Sequence, residues 1–520
     1  MKRVLMLVLL GFMIFGPTIA AFAAEPDPSG TKTGGAADVV GATANAPTAD
    51  DLKNLAANEP LAAKLADVIG HNKVSINMVW MLICGFLVMF MQAGFALAET
   101  GFTRAKNAGH TMAMNFMVYA IGMLGYWVCG FALQMGGVGG VASLGGGAGL
   151  DGEFVISLFG KDFGLFGTKG FFLTGVAYDA VIFSIFLFQM VFMDTTATIP
   201  TGAMAERWTF KSFLVYGFFI SMFIYPLYAN WVWGGGWLSQ LGKNFSLGHG
   251  VVDFAGSSVV HMTGGVAAFA GAIVLGPRLG KFRKDGKPNA IPGHHIPMAL
   301  TGCFILAFGW FGFNAGSTLA GGDLRIGVVA VNTMLASAAG AFSSMLYMWM
   351  LYDKPDISMG ANGFLAGLVA ITAPCAFVNS VSAVIIGLVA GVALCMSVFF
   401  VERVLKVDDP VGAISVHGVN GAWGILALGL FADGTYGDGL NGVQNTVRGL
   451  FYGDASQLVA QIAGIITNII FVFVVMFVFF KILDKIVPLR VAAELETEGL
   501  DQAEVAVTAY PDFSVHKTQI

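Results

Sequence analysis

Charged side chains are scarce in this chain of 520 residues. Asp, Glu, Lys and Arg make up 11% of it and hydrophobic residues 56%, whereas an ordinary soluble domain carries about 25% charged residues. The composition therefore excludes an ordinary soluble domain. The formal net charge is −5, and the sequence contains no basic stripe that would meet a phosphate backbone, so a nucleic-acid partner is not expected either.

Cysteine is scarce too, with five residues in the whole chain. Each lies in an apolar stretch, and none forms a CxxC pair or a Cys/His spacing typical of a metal site. We therefore expect the cysteines to be buried packing residues, and we expect neither a metal nor another cofactor. The five are Cys84, Cys129, Cys303, Cys375 and Cys395.

Long apolar runs dominate the sequence instead. The clearest cover residues 76–98, 211–231, 360–378 and 455–480, each near or above the roughly 20 residues that a helix needs to cross a bilayer. Eleven such segments are centred near residues 87, 123, 188, 221, 265, 307, 337, 369, 391, 422 and 468. The sequence therefore predicts an all-α membrane protein with eleven transmembrane helices. Its 70 glycines indicate helices that pack closely through small residues.

The N-terminal residues have the pattern of a cleavable signal peptide, which we assign to residues 1–24. Lys2 and Arg3 precede an apolar stretch from Val4 to Phe15, and small residues follow up to Ala24. Residues 25–72 contain few large apolar side chains, which predicts a flexible extracytoplasmic tail. We assign residues 73–488 to the transmembrane domain and residues 489–520 to a cytoplasmic C-terminal tail.

The placement of cations predicts the orientation in the membrane. With the N-terminus outside, an odd number of spans places the C-terminus in the cytoplasm. Most cations then fall in cytoplasmic segments, including the cluster Arg278, Lys281, Arg283, Lys284 and Lys287. The outer loops between spans hold fewer: Lys161, Lys169, Lys243, Arg325 and Arg448. This asymmetry is the positive-inside bias of multi-pass membrane proteins.

An internal repeat relates two of the predicted spans. Residues 253–265 and 409–421 both read D-x-x-G-x-x-x-V-H-x-x-x-G, and their histidines are His261 and His417. The two spans are five apart and cross in opposite senses, which predicts a 5+5 inverted repeat followed by a final helix. Each histidine lies eight residues beyond its aspartate, about 12 Å deeper along a helix. Because the helices start from opposite faces, the histidines should meet near the bilayer centre.

A pair of buried histidines suits the handling of a proton or of a small polar molecule. Apolar surroundings disfavour the charged form of an imidazole, and two neutral imidazoles can share a proton, with one donating and the other accepting. The alternative is that each histidine only bonds a neighbouring helix, although ionisable groups inside a membrane are functional by default. An intramembrane metalloenzyme built on His261 and His417 would need a third ligand, and no residue at a suitable spacing supplies one.

Five ordered motifs carry a resemblance to a known family. They are Gln92-Ala-Gly-Phe-Ala-Leu-Ala-Glu99 followed by Arg104-Ala-Lys106-Asn107, Gly202-Ala-Met-Ala-Glu206-Arg207, Asp253-Phe-Ala-Gly256 through His261, Gly309-Trp310-Phe-Gly-Phe313-Asn314-Ala-Gly-Ser317, and Asp408-Asp409-Pro410 through His417-Gly418. From residue 76 to about residue 500 the chain resembles the Amt branch of the Amt/Mep/Rh ammonium transporter family. The resemblance implies ammonium uptake across a bacterial-type inner membrane by a transporter, and not an enzyme.

The resemblance also implies a homotrimer in which each subunit has its own pore. In each pore an outer cation site would lie above a pair of phenylalanine rings and a narrow hydrophobic channel with twin histidines. The matching residues are Trp233 and Ser317 for the outer site, Phe192 and Phe313 for the rings, and His261 and His417 for the pair. We expect Asp253, at a helix start, to cap the helix and organise the outer site without binding substrate.

Other interpretations of these residues stay open. Trp233 lies at the outer end of a span, where tryptophans commonly form an interfacial belt. Phe192 and Phe313 are two of 45 phenylalanines, so core packing is their alternative. Asp194 stands where the family more often has a small residue.

The C-terminal tail allows two readings of its own. It is charged and resembles the family's regulatory tail, which predicts a cytoplasmic PII signalling protein as a partner. The alternative function is an ammonium sensor that binds its substrate at Trp233 and Ser317 and signals through this tail.

Overall fold

The apolar runs of the sequence form long helices joined by short loops. The computed structural model describes residues 26–40, 46–145, 149–437, 441, 443 and 445–513. Its helices are α1 (Ala49–Asn58), α2 (Pro60–Phe102), α3 (Ala105–Met135), α4 (Ala180–Ala203), α5 (Phe210–Trp233), α6 (Leu241–Phe245), α7 (Ser257–Leu275), α8 (Ile296–Ala315), α9 (Arg325–Tyr352), α10 (Ile357–Thr372), α11 (Ser380–Val404), α12 (Ile414–Phe431), α13 (Ala455–Ile486), α14 (Ala493–Glu498) and α15 (Leu500–Val505). Two antiparallel strands, β1 (Glu153–Leu158) and β2 (Lys161–Gly167), form a hairpin between α3 and α4.

Ten of these helices are long and apolar enough to cross a membrane, within the part of the chain that is described. They are α2 to α5, α7 to α9 and α11 to α13, and they coincide with ten of the eleven predicted spans. The remaining predicted span, near residue 369, is α10, which is apolar but has 16 residues, fewer than the roughly 20 that cross a bilayer. The all-α membrane architecture is confirmed, and the count of eleven spans stays a prediction.

The outer surface of the helices carries large apolar side chains. Such a surface is unfavourable in water and suits the hydrocarbon of a bilayer. Well-exposed examples from five helices are Phe116, Phe304, Phe342, Met350, Val381 and Ile470. The protein is therefore a multi-pass membrane protein. All five cysteines are buried and free.

The two helices of the repeat, α7 and α12, cross backbone against backbone. A Cβ atom added to Gly265 would lie 2.1 Å from the amide nitrogen of Gly418, and one added to Gly421 would lie 2.5 Å from the carbonyl oxygen of Ser257. Because both distances are far below van der Waals contact, these two positions require glycine. Gly265 and Gly421 are the last residues of the repeated motif, so the motif itself specifies the close crossing.

The N-terminal segment packs against the start of α2. Helix α2 begins at Pro60, inside the segment that we assigned to the tail, because proline at the first helical position starts a helix readily. The backbone N–H of Ala36 donates to Asp67 Oδ1 at 2.8 Å, and Nδ1 of His71 lies 2.7 Å from the carbonyl oxygen of Thr33. The predicted signal peptide, residues 1–24, lies outside the described residues.

Buried ion pairs join segments from the two halves of the repeat. Arg278, which follows α7, donates to Glu206 and to Asp408, each at 2.9 Å. Glu206 also pairs with Arg104 at 2.5 Å. Burial by itself would raise the pKa of Asp408, but the guanidinium groups of Arg207 and Arg278 outweigh burial and hold that pKa well below its usual value. Arg104, Glu206, Arg207 and Asp408 come from three of the motifs noted in the sequence. Their contacts with Arg278 and with one another give those motifs a structural role.

The C-terminal helices α14 and α15 are docked beside this ion-pair network. Arg490 pairs with Glu496 at 2.7 Å, and Nζ of Lys106 donates to the carbonyl oxygen of Glu496 at 2.7 Å. The backbone N–H of Leu500 donates to Asn107 Oδ1 at 3.0 Å. The described part of the C-terminal tail is therefore held against the start of α3.

Candidate functional site

Matched aspartates begin the two helices of the repeat. The carboxylate of Asp253 accepts the backbone N–H groups of residues 256 to 259 at 2.7 to 3.0 Å. The carboxylate of Asp409 accepts those of Val411, Gly412 and Ile414 at 2.7 to 3.3 Å. Each aspartate thus satisfies the free N–H groups at its helix start. Asp253 has the capping contacts expected of it.

The histidines lie in wide helical turns. The first turn of α7 (Ser257–Met262) and that of α12 (Ile414–Val419) are π-helical. His261 is the fifth residue of its turn, and His417 is the fourth residue of its own. A π-helical turn is rare and is frequent at functional sites. The sequence repeat identified the two positions, but it contains no signal for the π-helical turn.

The two imidazoles are in direct contact. Nδ1 of His261 lies 3.2 Å from Nδ1 of His417, and the ring centroids are 5.2 Å apart. His261 is fully buried, and its Nε2 has no hydrogen-bond partner among the described residues. An Nδ1–Nδ1 contact requires opposite tautomers, with one ring donating and the other accepting. In this contact one Nδ1–H therefore donates directly to the other Nδ1.

Aromatic rings cover the outer side of the pair. His261 stacks on Trp310 and Phe313, with centroid distances of 5.1 and 5.3 Å. Phe313 in turn stacks on Phe192 at 4.1 Å. Both phenylalanines are buried, and no hydrated ion fits between two rings in van der Waals contact. Trp310 was not singled out from the sequence as a site residue, although it lies in one of the quoted motifs.

An outer cavity of about 280 Å³ lies beyond the phenylalanine rings and is lined by Trp233, Asp253 and Ser317 among others. The indole N–H of Trp233 donates to the backbone carbonyl of Asp253 at 2.6 Å, and the indole packs edge-on against Phe192 at 6.1 Å. The hydroxyl of Ser317 donates to the carbonyl oxygen of Phe313 at 2.8 Å, which leaves its oxygen free to accept a hydrogen bond. Trp233 therefore lines a cavity together with Ser317.

An inner cavity of about 30 Å³ lies on the other side of the histidine pair. His417 and Phe95 line it, with ring centroids 6.1 Å apart. Glu99 lines it too and is only 4% exposed. The sequence motif contained Glu99, but only the structure brings its carboxyl group to the same cavity as His417.

Comparisons with known proteins show the family of this chain. A sequence model of the Ammonium Transporter Family matches residues 79–510. The chain belongs to this family. It is 47% identical over 459 residues to the ammonium transporter Amt2 of Archaeoglobus fulgidus, which covers 88% of this chain and 92% of that protein. It is 36% identical over 436 residues to the ammonium transporter of Bacillus subtilis, with 84% and 98% covered.

Solved structures of the ammonium transporter family share the fold. A structure titled "Sensor Amt Protein" superposes with a TM-score of 0.72 at 36% identity, covering 84% of this chain and 99% of that one. The crystal structure of Candida albicans Mep2 superposes with a TM-score of 0.67 at 27% identity, covering 81% and 87%. The resemblance found in the sequence is thereby confirmed.

Asp194 lies apart from the two cavities. Its Oδ1 has no hydrogen-bond partner among the described residues, and the side chain is buried. A Cβ atom added to Gly122 on α3 would lie 4.0 Å from this oxygen, so the carboxyl group faces α3. It lines neither the outer nor the inner cavity.

No group of three or more His, Cys, Asp or Glu side chains that could hold a metal is found among the described residues.

Proposed function

We propose that this member of the ammonium transporter family moves ammonium as ammonia plus a separately relayed proton. The pore would run from the outer cavity past Phe192 and Phe313 to His261 and His417. The observation that carries the proposal is the buried Nδ1–Nδ1 contact of 3.2 Å between the histidines. The stacked rings of Phe192 and Phe313 lie between this contact and the outer cavity, and they leave no room for a hydrated cation.

The outer cavity is the proposed cation site. An indole face attracts a cation by about 0.5 to 2 kcal/mol, and the free lone pairs of Ser317 accept a hydrogen bond from an ammonium proton. Trp233 and Ser317 line the same cavity, which supports a joint role. Potassium is attracted by the same indole face but has no proton to donate to Ser317.

Deprotonation is the proposed selectivity step. A charge at the bilayer centre costs at least about 2.5 to 3.5 kcal/mol, whereas ammonia passes without that cost. Ammonium gives its proton to Nε2 of His261, the Nδ1 proton of His261 passes to Nδ1 of His417, and His417 releases a proton from its own Nε2. Potassium has no proton to lose and is therefore excluded.

Growth of cells that lack their own ammonium uptake tests the proposed function. Expression of the chain is expected to restore growth on micromolar ammonium, because the transporter supplies nitrogen that diffusion of ammonia does not. A chain that binds ammonium in purified form but restores no growth and moves none into vesicles would contradict transport. That outcome would favour the ammonium sensor instead.

Replacing Trp233 by leucine tests the outer site. The half-saturating ammonium concentration is expected to rise about two- to thirty-fold, which corresponds to the loss of a cation–π contact. Trp231→Leu is the matched control, because the Trp231 indole lies on the same helix and donates to the carbonyl of Leu165 outside the outer cavity. Equal shifts in the two variants would favour an interfacial belt over a binding site. The measurement is the ammonium dependence of current in proteoliposomes.

The setting of this function follows the sequence predictions. The mature chain would begin after a signal peptide at residues 1–24, lie in a cell inner membrane as a homotrimer, and have its N-terminus outside and its C-terminus in the cytoplasm. The positive-inside bias supports that orientation. The exposed apolar side chains of α9 and α13 provide surface for lipid and for neighbouring subunits.

A cytoplasmic PII signalling protein is the proposed regulatory partner. The docking of α14 and α15 against the start of α3 supports this role, because a partner that binds the tail would act directly on the start of α3. Immobilised full-length transporter is expected to retain the cognate PII protein in a nucleotide-dependent manner, and a chain truncated after residue 489 is expected to lose it. Equal retention with ATP, with ADP and without the tail would contradict the proposal.

A further inference from the structure

Glu99 is a buried acid whose surroundings differ from those of most other buried acids in the chain. Its Oε1 and Oε2 accept the hydroxyl of Thr201 at 3.0 and 2.8 Å, and its Oε2 accepts the side-chain amide of Asn115 at 2.7 Å. All of these donors are neutral. Among the described residues Glu99 takes part in no ion pair. A buried carboxylate without a cation is costly, so it either binds a proton or attracts a cation.

Other buried acids have cationic or backbone partners, or lie away from the cavities. Glu206, Asp408 and Glu496 each have a guanidinium partner within 3.0 Å. Asp253 accepts four backbone N–H groups at a helix start. Asp194 lacks a cation too but lines no part of the path. Glu99 is thus the acid that is both without a cation and open to a cavity beside the histidines.

A chain of amides holds Asn115 toward Glu99. Thr198 donates its hydroxyl to Oε1 of Gln92 at 2.9 Å, and Nε2 of Gln92 donates to Oδ1 of Asn115 at 3.1 Å. The amide of Asn115 is therefore oriented with its nitrogen on the Glu99 side. Because Gln92 and Thr198 hold Asn115 in place, we expect the carboxyl group of Glu99 to keep one position whether it is protonated or ionised.

We propose that Glu99 is the inner proton acceptor of this transporter and forms, with the wall of the inner cavity, a site for a small protonated amine. This role rests on the proposed function. Protonated His417 gives its Nε2 proton to the Glu99 carboxylate, directly or through one water. The resulting carboxylic acid gives this proton to ammonia, and the products are ammonium and the carboxylate.

The inner cavity has the size and lining for this ligand. Its volume of about 30 Å³ holds one water-sized molecule, and ammonium is of that size. Phe95 and Phe102 contribute aromatic walls, which tolerate a cation. A hydrated metal ion is too large for this volume, so the site selects for ammonium or a similarly small amine.

Three titratable groups surround Glu99. His417 shares the cavity, Asp409 at the start of α12 acts on Glu99 electrostatically, and Tyr216 on α5 does so as well. Of the three groups, only His417 lines the inner cavity together with Glu99. The pH on the inner side should therefore act on transport chiefly through these two groups.

Glu99→Gln tests the inner site in proteoliposomes, because glutamine keeps the length of the side chain and cannot carry the proton. The maximal ammonium-driven current is expected to fall about ten-fold or more, and its dependence on internal pH is expected to vanish. The half-saturating external ammonium concentration is expected to stay unchanged, because the outer cavity is intact. Glu99→Asp keeps a carboxyl group and should retain part of the current. Glu153→Gln, at a half-buried acid of the hairpin that Asn230 bonds, is the matched control.

The outcomes separate this inference from the proposed function. Wild-type protein without any ammonium-driven current would overturn the proposed function itself. A wild-type current that His417→Gln abolishes and Glu99→Gln leaves intact would overturn only the role of Glu99. If Glu99→Gln does not fold, Thr201→Val decides: loss of the hydroxyl that donates to Glu99 is expected to shift the internal-pH profile, and an unchanged profile would overturn the proposal.

Discussion

Replacing His417 by glutamine is expected to lower the ammonium-driven current in proteoliposomes about a hundred-fold. Without the second imidazole the proton has no relay, so it crosses only as intact ammonium. That route costs at least about 2.5 to 3.5 kcal/mol, and each ~1.4 kcal/mol is a factor of ten. Discrimination against potassium should fall in the same variant, because both ions then cross as charges. Currents recorded with equal ammonium and potassium gradients measure both effects.

His110→Gln is the matched control, because it shows whether the loss of any buried imidazole lowers the current. His110 on α3 is fully buried, and neither of its ring nitrogens has a partner among the described residues. It lines neither the outer nor the inner cavity, so His110→Gln is expected to keep the wild-type current. Wild-type current with unchanged potassium exclusion in both His261→Ala and His417→Gln would contradict the relay.

Replacing Arg278 by glutamine is expected to lower the free energy of unfolding by about 3 to 5 kcal/mol. The change leaves the carboxylates of Glu206 and Asp408 buried, where Arg278 now bonds each at 2.9 Å. Denaturation of the detergent-solubilised protein measures the loss. Arg283→Gln is the control, because that exposed cation belongs to the same loop and its loss should cost less than about 0.5 kcal/mol. Similar losses in both variants would contradict the role of the ion-pair network.

The pH dependence of this loss has a definite sign. The pKa of Asp408 is held well below its usual value by Arg207 and Arg278, against the effect of burial. The stabilisation by this carboxylate is therefore complete above the usual aspartate pKa of about 4 and is lost as the pH falls through the lower folded-state pKa. The difference in stability between wild type and Arg278→Gln should accordingly be constant at neutral pH and shrink in acid.

Much of the fold could be predicted because a membrane span is a property of a local run of residues. Ten predicted spans correspond to helices that are long and apolar enough to cross a membrane. The start of α2 at Pro60 could not be predicted, because Pro60 and the residues after it form a helix without forming a continuous apolar run. The length of α10 could not be predicted either, since its end at Thr372 falls inside an apolar run that continues to residue 378.

The candidate site was predictable where a repeat or a motif marked it. The contact between His261 and His417 followed from matched positions on helices of opposite direction. Phe192 and Phe313 could be singled out only through the family resemblance, because nothing local separates them from the other phenylalanines. Glu99 escaped prediction as a site residue because its position in the same cavity as His417 depends on the tertiary placement of α2 and α12, which no local pattern encodes.

Currents in proteoliposomes under separate ammonium and potassium gradients test most directly the central claim, that ammonium crosses as ammonia with its proton relayed apart. An ammonium gradient should drive a current that saturates with concentration, and an equal potassium gradient should drive none. A potassium current of comparable size would mean that a whole cation passes the phenylalanine rings and the histidine pair. That result would contradict the separation of ammonia from its proton.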